Sequence, residues 1–76
     1  MFTIVENQHR ADGVINQIVT NRQSFASALS FYHDRFSKMC MTELYQSVDL
    51  VLLDENLSVI QHDIVPTLWT APAEEQ

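Results

Sequence analysis

Several residue types are rare in this chain, and their scarcity excludes some classes of protein. Its 76 residues include one cysteine, one glycine, two prolines and four Lys or Arg residues. A single cysteine cannot form an intramolecular disulfide, and small exported domains usually carry several, so the composition indicates a cytoplasmic protein. No apolar run approaches the roughly 18 residues that span a bilayer, and the N-terminus lacks a signal-peptide pattern. One glycine leaves no glycine-rich phosphate loop.

Basic residues are scarce and lie in one half of the sequence. All four precede residue 39, whereas acidic residues continue to the C-terminus and bring the net charge to -6. Binding to nucleic acid or to an anionic membrane needs clustered Lys and Arg, so we expect neither. The acidic second half is compatible with docking onto a basic protein surface, although carboxylates also keep a small protein soluble.

The clearest element is a helix over residues 24–41. Its apolar residues recur at steps of four, three, four and three, which places them on one face at 3.6 residues per turn. These residues are Phe25, Leu29, Tyr32, Phe36 and Met39. Phe31 points away from that stripe, with Arg35 one turn further on. Because aromatic and Arg side chains contribute much of the energy of interfaces, both are candidate partner contacts.

The remaining pattern predicts an α+β fold. Residues 1–5 form a short N-terminal strand because they are rich in β-branched and aromatic side chains. A first helix follows over residues 12–20, with Asp12 as its N-cap. A C-terminal hairpin over residues 48–65 is indicated by two β-branched runs on either side of a polar turn. The alternative is an all-α fold of four short helices, since periodicity cannot separate a short buried strand from a helix.

Residues 1–69 are expected to form a single small domain, and residues 70–76 a frayed acidic tail. The predicted core consists of apolar residues from each element, namely Val14, Ile18, Phe25, Leu29, Tyr32, Phe36, Leu44, Val51, Leu52, Ile60 and Ile64.

The residues that could take part in catalysis or bind a metal do not form a recognisable catalytic pattern. His33 and His62 are each followed by Asp, and with Cys40 they could in principle form a metal or redox module. Adjacent residues point to different faces of a helix or strand, and closely spaced Cys and His pairs are missing. We therefore expect no enzyme activity, no metal and no cofactor, and keep the module only as an alternative.

The first functional hypothesis is a small acidic, non-enzymatic protein that binds another protein and regulates or inhibits it. Inhibitors encoded by phages or mobile elements that block nucleic-acid-handling machinery fit this size and charge by analogy. The candidate partner-binding residues are Asp49, Asp54, Glu55, Asp63, Phe31 and Arg35. The alternative from another class is an assembly subunit that forms a homodimer through the central helix.

Overall fold

The fold is a four-stranded antiparallel sheet with one helix packed on one of its faces. The computed structural model describes residues 1–71, and its elements in chain order are β1 (Phe2–His9), β2 (Ile15–Arg22), α1 (Phe25–Met39), β3 (Ser47–Leu53) and β4 (Val59–Pro66). The strand order is β2-β1-β3-β4. No helix in this part of the chain is long and apolar enough to cross a membrane. The expected tail largely lies outside the described residues.

The predicted helix over residues 12–20 is wrong, because this segment belongs to a β-hairpin. Asp12 does not cap a helix; its carboxylate accepts a hydrogen bond from the Val14 N–H at 3.1 Å within the turn. The Gly13 N–H donates to the Arg10 carbonyl at 3.1 Å, and Gly13 has a φ of 92°, which an L side chain rarely adopts. The turn therefore sends β2 back along β1, and the all-α alternative is wrong as well.

The N-terminal strand is longer than predicted and lies in the interior of the sheet. It extends to His9 and pairs with β2 on one side and β3 on the other. The predicted strand ended at residue 5, before the polar residues Glu6 and Gln8, but these alternate with Ile4 on the side that faces the helix, and all three are buried. A polar residue is tolerated at a buried position when its hydrogen bonds are satisfied. The spacing of residues in the sequence does not reveal such hydrogen-bond partners.

The central helix is present as α1, with Ser24 as its N-cap. The Ser24 hydroxyl accepts a hydrogen bond from the Ser27 N–H at 3.1 Å, as capping of the first turn requires. Ala28 and Tyr32 are its buried residues. Phe31 packs at the edge of the core, where the Arg22 guanidinium lies 4.6 Å from its ring centroid.

The core occupies only the helix side of the sheet. Strand alternation turns every second residue of β3 and β4 towards α1, and the buried apolar set is Ile4, Ala28, Tyr32, Val48, Leu50, Leu52 and Val65. Six residues of the predicted core are exposed instead, namely Val14, Ile18, Phe25, Leu44, Ile60 and Ile64. The opposite side of the sheet, which we call the open face, carries Val5, Val19, Val51 and Ile64.

The hairpin predicted over residues 48–65 is present as β3 and β4. Its ladder is irregular at one point, because Leu52 pairs with Gln61 but Leu53 pairs with Val59, so that Ile60 is an extra residue in β4.

Candidate functional site

The turn between β3 and β4 is the candidate site, and we call residues 54–58 the hairpin tip. The Asp54 carboxylate accepts hydrogen bonds from the N–H groups of Asn56 at 2.8 Å and Ser58 at 2.9 Å. The Asp54 N–H donates to the Ser58 carbonyl at 3.0 Å, and the Leu57 N–H donates to the Asp54 carbonyl at 3.0 Å. Asp side chains commonly organise turns in this way, so the tip is held in a defined shape.

Leu57 combines two unfavourable features within that shape. Its φ is 62°, in the left-handed region that favours Gly or Asn. Its side chain is also 68% exposed, so the domain gains little burial from it. Left-handed backbone at a residue other than glycine is uncommon and is concentrated at binding and switch regions. Leu57 is therefore the residue at the tip whose properties the isolated domain does not explain.

Other exposed apolar residues begin beside the tip. Val59 and Ile60 start β4, and both are exposed. The amino group of Met1 lies 3.5 Å from the Glu55 carboxylate, which places the start of the chain next to the tip, and the Met1 side chain is exposed too. This end of the sheet thus offers apolar side chains together with the carboxylates of Asp54 and Glu55.

The six predicted partner-binding residues do not form one surface. Asp54 and Glu55 share the hairpin tip. Asp49 lies on the open face, where one carboxylate oxygen is 3.0 Å from Nε2 of His9. Asp63, Phe31 and Arg35 lie on the helix side of the molecule, each engaged by a neighbour within the domain.

Arg35 is held by a buried carboxylate of β1. Its Nε and Nη2 atoms donate to the two Glu6 oxygens at 2.6 and 2.8 Å. Gln8 donates to the same carboxylate at 2.5 Å, and Glu6 is only 2% exposed. The hydrogen bond to Glu6 raises the pKa of the Arg35 guanidinium above its ordinary value, so Arg35 stays protonated at neutral pH. Arg35 thereby satisfies the carboxylate that lies between helix and sheet.

Asp63 is tied to the most buried aromatic residue. The Tyr32 hydroxyl donates to an Asp63 oxygen at 2.6 Å and lies 3.1 Å from the Leu50 carbonyl, while Gln61 donates to the same Asp63 oxygen at 3.0 Å. Burial, reinforced by Asp63, raises the pKa of Tyr32 above its ordinary range. The hydrogen bonds from Tyr32 and Gln61 lower the pKa of Asp63.

The residues of the hypothetical metal or redox module lie on different parts of the fold. His33 is exposed on α1, whereas alternation places His62 on the open face and the sheet separates the two. Cys40 caps the C-terminal end of α1. Within residues 1–71, no group of three or more His, Cys, Asp or Glu side chains is arranged to hold a metal ion.

Sequence reasoning missed Leu57, Glu6 and Gln8. Leu57 had no signal in the sequence, because Leu57-Ser58-Val59 alternates with the period of a strand and resembles the start of β4. Glu6 and Gln8 alternate with Ile4, which is the period of a strand, but their polarity concealed it.

No family model matches the chain, and no curated protein or solved structure is detectably similar to it. Function must therefore be argued from surface chemistry.

Proposed function

We propose that this chain is a small non-enzymatic protein of the cytoplasm that binds another protein and regulates or inhibits it, and that the hairpin tip makes the central contact. The observation that carries the proposal is Leu57, an exposed apolar side chain in left-handed backbone. In the isolated domain this residue costs stability twice, through its backbone and through its wetted surface. A partner that buries Leu57 gives a physical reason for both.

The chemistry around Leu57 suggests what the partner presents. Asp54 and Glu55 precede it in the hairpin tip, and β3 and β4 contain no Lys or Arg. A partner with an apolar pocket rimmed by basic residues would complement this end of the sheet in both shape and charge. A nucleic-acid-handling protein, whose binding groove is basic, has that character.

Dimerisation through the central helix has less support from the geometry. The exposed apolar residues of α1 are Phe25 and Ala26, both in its first turn, and its exposed polar residues are Ser27, Ser30, His33, Asp34, Ser37 and Lys38. A helix that pairs in water needs an apolar face for its partner.

Leu57→Asn should separate stability from binding. Asn tolerates left-handed backbone, so we expect the free energy of unfolding to rise by up to about 1 kcal/mol. Partner affinity should fall by about 10- to 100-fold, as expected for a buried apolar anchor. Urea unfolding measures the first effect. The second is measured by calorimetry on the partner identified with a photo-crosslinking amino acid at position 57.

Leu44 provides the matched control, because it is an equally simple apolar side chain, 74% exposed, in the loop before β3. Leu44→Asn should leave affinity unchanged, and a crosslinker at position 44 should not capture the same protein. Glu55→Gln should reduce the salt dependence of association. Equal crosslinking from both positions, or full affinity in Leu57→Asn, would refute the proposed contact.

A further inference from the structure

The two edges of the sheet differ in how they are protected against pairing with another strand. Natural edge strands are blocked by proline, bulges and inward-pointing charges. β4 has all three: Pro66 at its end, an extra residue at Ile60, and Asp63 directed towards Tyr32. This edge is poorly suited to accept a further strand.

β2 lacks these features. It pairs with β1 in unbroken register over its whole length, and it contains no proline, lysine or acidic residue; its one charge, Arg22, is at the end. The hairpin closes with the Arg10 N–H donating to the Val14 carbonyl at 2.9 Å. Because such bonds alternate along an antiparallel pair, four residues of β2 direct their N–H and C=O groups off the edge, namely Ile15, Gln17, Val19 and Asn21. This edge is an open template for a strand.

We propose that two copies of this chain pair through β2, antiparallel, about a two-fold axis at Ile18. In that register Val19 of each copy lies opposite Gln17 of the other, and Ile15 opposite Asn21. Each of the four outward-facing residues of one copy then pairs with an outward-facing residue of the other copy, which gives about eight main-chain hydrogen bonds between the copies. An axis at Val19 would instead place Ile15 opposite Gln23, beyond the end of the strand.

The side chains of β2 fit this arrangement. Ile18 is 44% exposed beside a groove of about 210 Å³ between α1 and β2. The groove is lined by Ile4, Thr20 and Phe31 together with two ion pairs, Glu6–Arg35 and Asp34–Lys38. Across a two-fold axis Ile18 meets its own equivalent, and residues directly opposite on antiparallel strands are close enough to contact. The two grooves would join over this pair, covering apolar surface that α1 leaves uncovered.

Charge does not oppose a second copy at this edge, because the two carboxylates that line the groove, Glu6 and Asp34, are each paired with a cation. Two chains of net charge -6 repel each other, and pairing must keep their carboxylates apart. Neighbouring strands are about 4.8 Å apart, so seven spacings would place the two β4 strands about 34 Å from each other, beyond the Debye length of about 8–10 Å. The Arg22 residues, at opposite ends of the paired strands, are also well separated.

The expected affinity is modest. A strand of this length is about 27 Å long, and an edge contact of that size buries on the order of 1,000 Å² in total, at the low end for stable interfaces. We expect a micromolar dimer, with both helices on the same side of the joined sheet and the two hairpin tips at opposite ends. The dimer does not depend on the proposed partner and is tested without it.

The test is sedimentation velocity of the full chain from about 1 µM to 1 mM, with Val19→Pro compared to Ile64→Pro. Neither Val19 nor Ile64 uses its N–H for a hydrogen bond within the sheet. The N–H of Val19 points off the β2 edge. When the alternation of hydrogen-bonded pairs is followed through β1 and β3 to β4, the N–H of Ile64 points off the β4 edge. Val19→Pro should raise the dimer dissociation constant by about tenfold or more, because it removes donors and clashes with the incoming strand. Ile64→Pro should leave the dissociation constant unchanged.

Ile18→Glu is the second variant, with Ile64→Glu as its equally charged control. It places two carboxylates opposite each other on the axis, so it too should raise the dissociation constant about tenfold or more, whereas Ile64→Glu should not. Circular dichroism establishes whether each variant is folded. If Val19→Pro does not fold, the dissociation constant of Ile18→Glu tests the proposed dimer. A wild-type chain that stays monomeric up to 1 mM would overturn the proposal. So would a dimer that is unaffected by the folded β2 variants.

Discussion

Arg35→Met should destabilise the domain by about 3–5 kcal/mol, because it leaves the Glu6 carboxylate buried without its charged partner. The Glu6 side chain is 3% exposed and that of Arg35 is 22% exposed, so water cannot readily replace the guanidinium. A loss of this size is comparable to the whole stability of a small domain. Urea unfolding in the Leu57→Asn background, which is expected to be more stable, keeps the variant measurable.

A double-mutant cycle isolates the cause of that loss. Glu6→Gln removes the charge but keeps an oxygen that can accept from Gln8, so Glu6→Gln/Arg35→Met should be more stable than Arg35→Met alone by about 2 kcal/mol. Lys38→Met is the control, since the Lys38–Asp34 pair is exposed and should contribute less than about 1 kcal/mol. If the two changes at Glu6 and Arg35 proved additive, the buried pair would not be what stabilises the helix against the sheet.

Tyr32→Phe should lower the free energy of unfolding by about 1.5–3 kcal/mol at pH 7, because it removes a hydrogen bond to the charged Asp63. It should also flatten the dependence of stability on pH at both extremes. The pKa of Tyr32 is raised in the folded state, so its contribution is complete below its ordinary value of 10.0 and is lost as the pH rises above 10, where the unfolded chain ionises first.

The pKa of Asp63 is lowered in the folded state, which has the opposite consequence. Its contribution is complete above its ordinary value of 3.8 and is lost as the pH falls below it, because the unfolded chain then binds a proton more readily. Without the Tyr32 hydroxyl, that acid-induced loss should be smaller. The midpoint of urea unfolding, measured from pH 3 to pH 11, reports the loss of stability at acidic pH (the acid limb) and at alkaline pH (the alkaline limb). Tyr45→Phe, which removes the other tyrosine hydroxyl, should retain the wild-type profile. An unchanged alkaline limb in Tyr32→Phe would contradict the assignment to Tyr32.

Parts of the candidate site could be found from the sequence, and parts could not. Asp54-Glu55-Asn56 was recognisable as a turn, and its acidity suggested a partner with basic groups. The same reasoning grouped Asp63 and Arg35 with the turn, although the fold gives each a neighbour on the helix side. A charged residue looks alike in sequence whether it is solvated or paired, and only packing reveals which.

The misassigned segment shows the same limit for the fold. Val14, Ile15, Ile18 and Val19 fall on one side of a helix, but in a strand Ile15 and Val19 share one face and Ile18 lies on the other. Two patterns overlap in so short a segment, and β-branched side chains suit the strand better. The Asp12–Gly13 pair was the deciding local signal, since that dipeptide is typical of hairpin turns.

By itself the sequence determined the central helix, the β3–β4 hairpin, and the confinement of Lys and Arg to the first half. These depend on local periodicity, turn chemistry and composition, which require no distant contact. Tertiary structure alone decided that β1 lies between β2 and β3, that Leu50 rather than Val51 faces the helix, and that Glu6 is buried against Arg35. The physical reason is that a strand acquires its hydrogen bonds, and a face acquires its burial, only from residues far away in the chain.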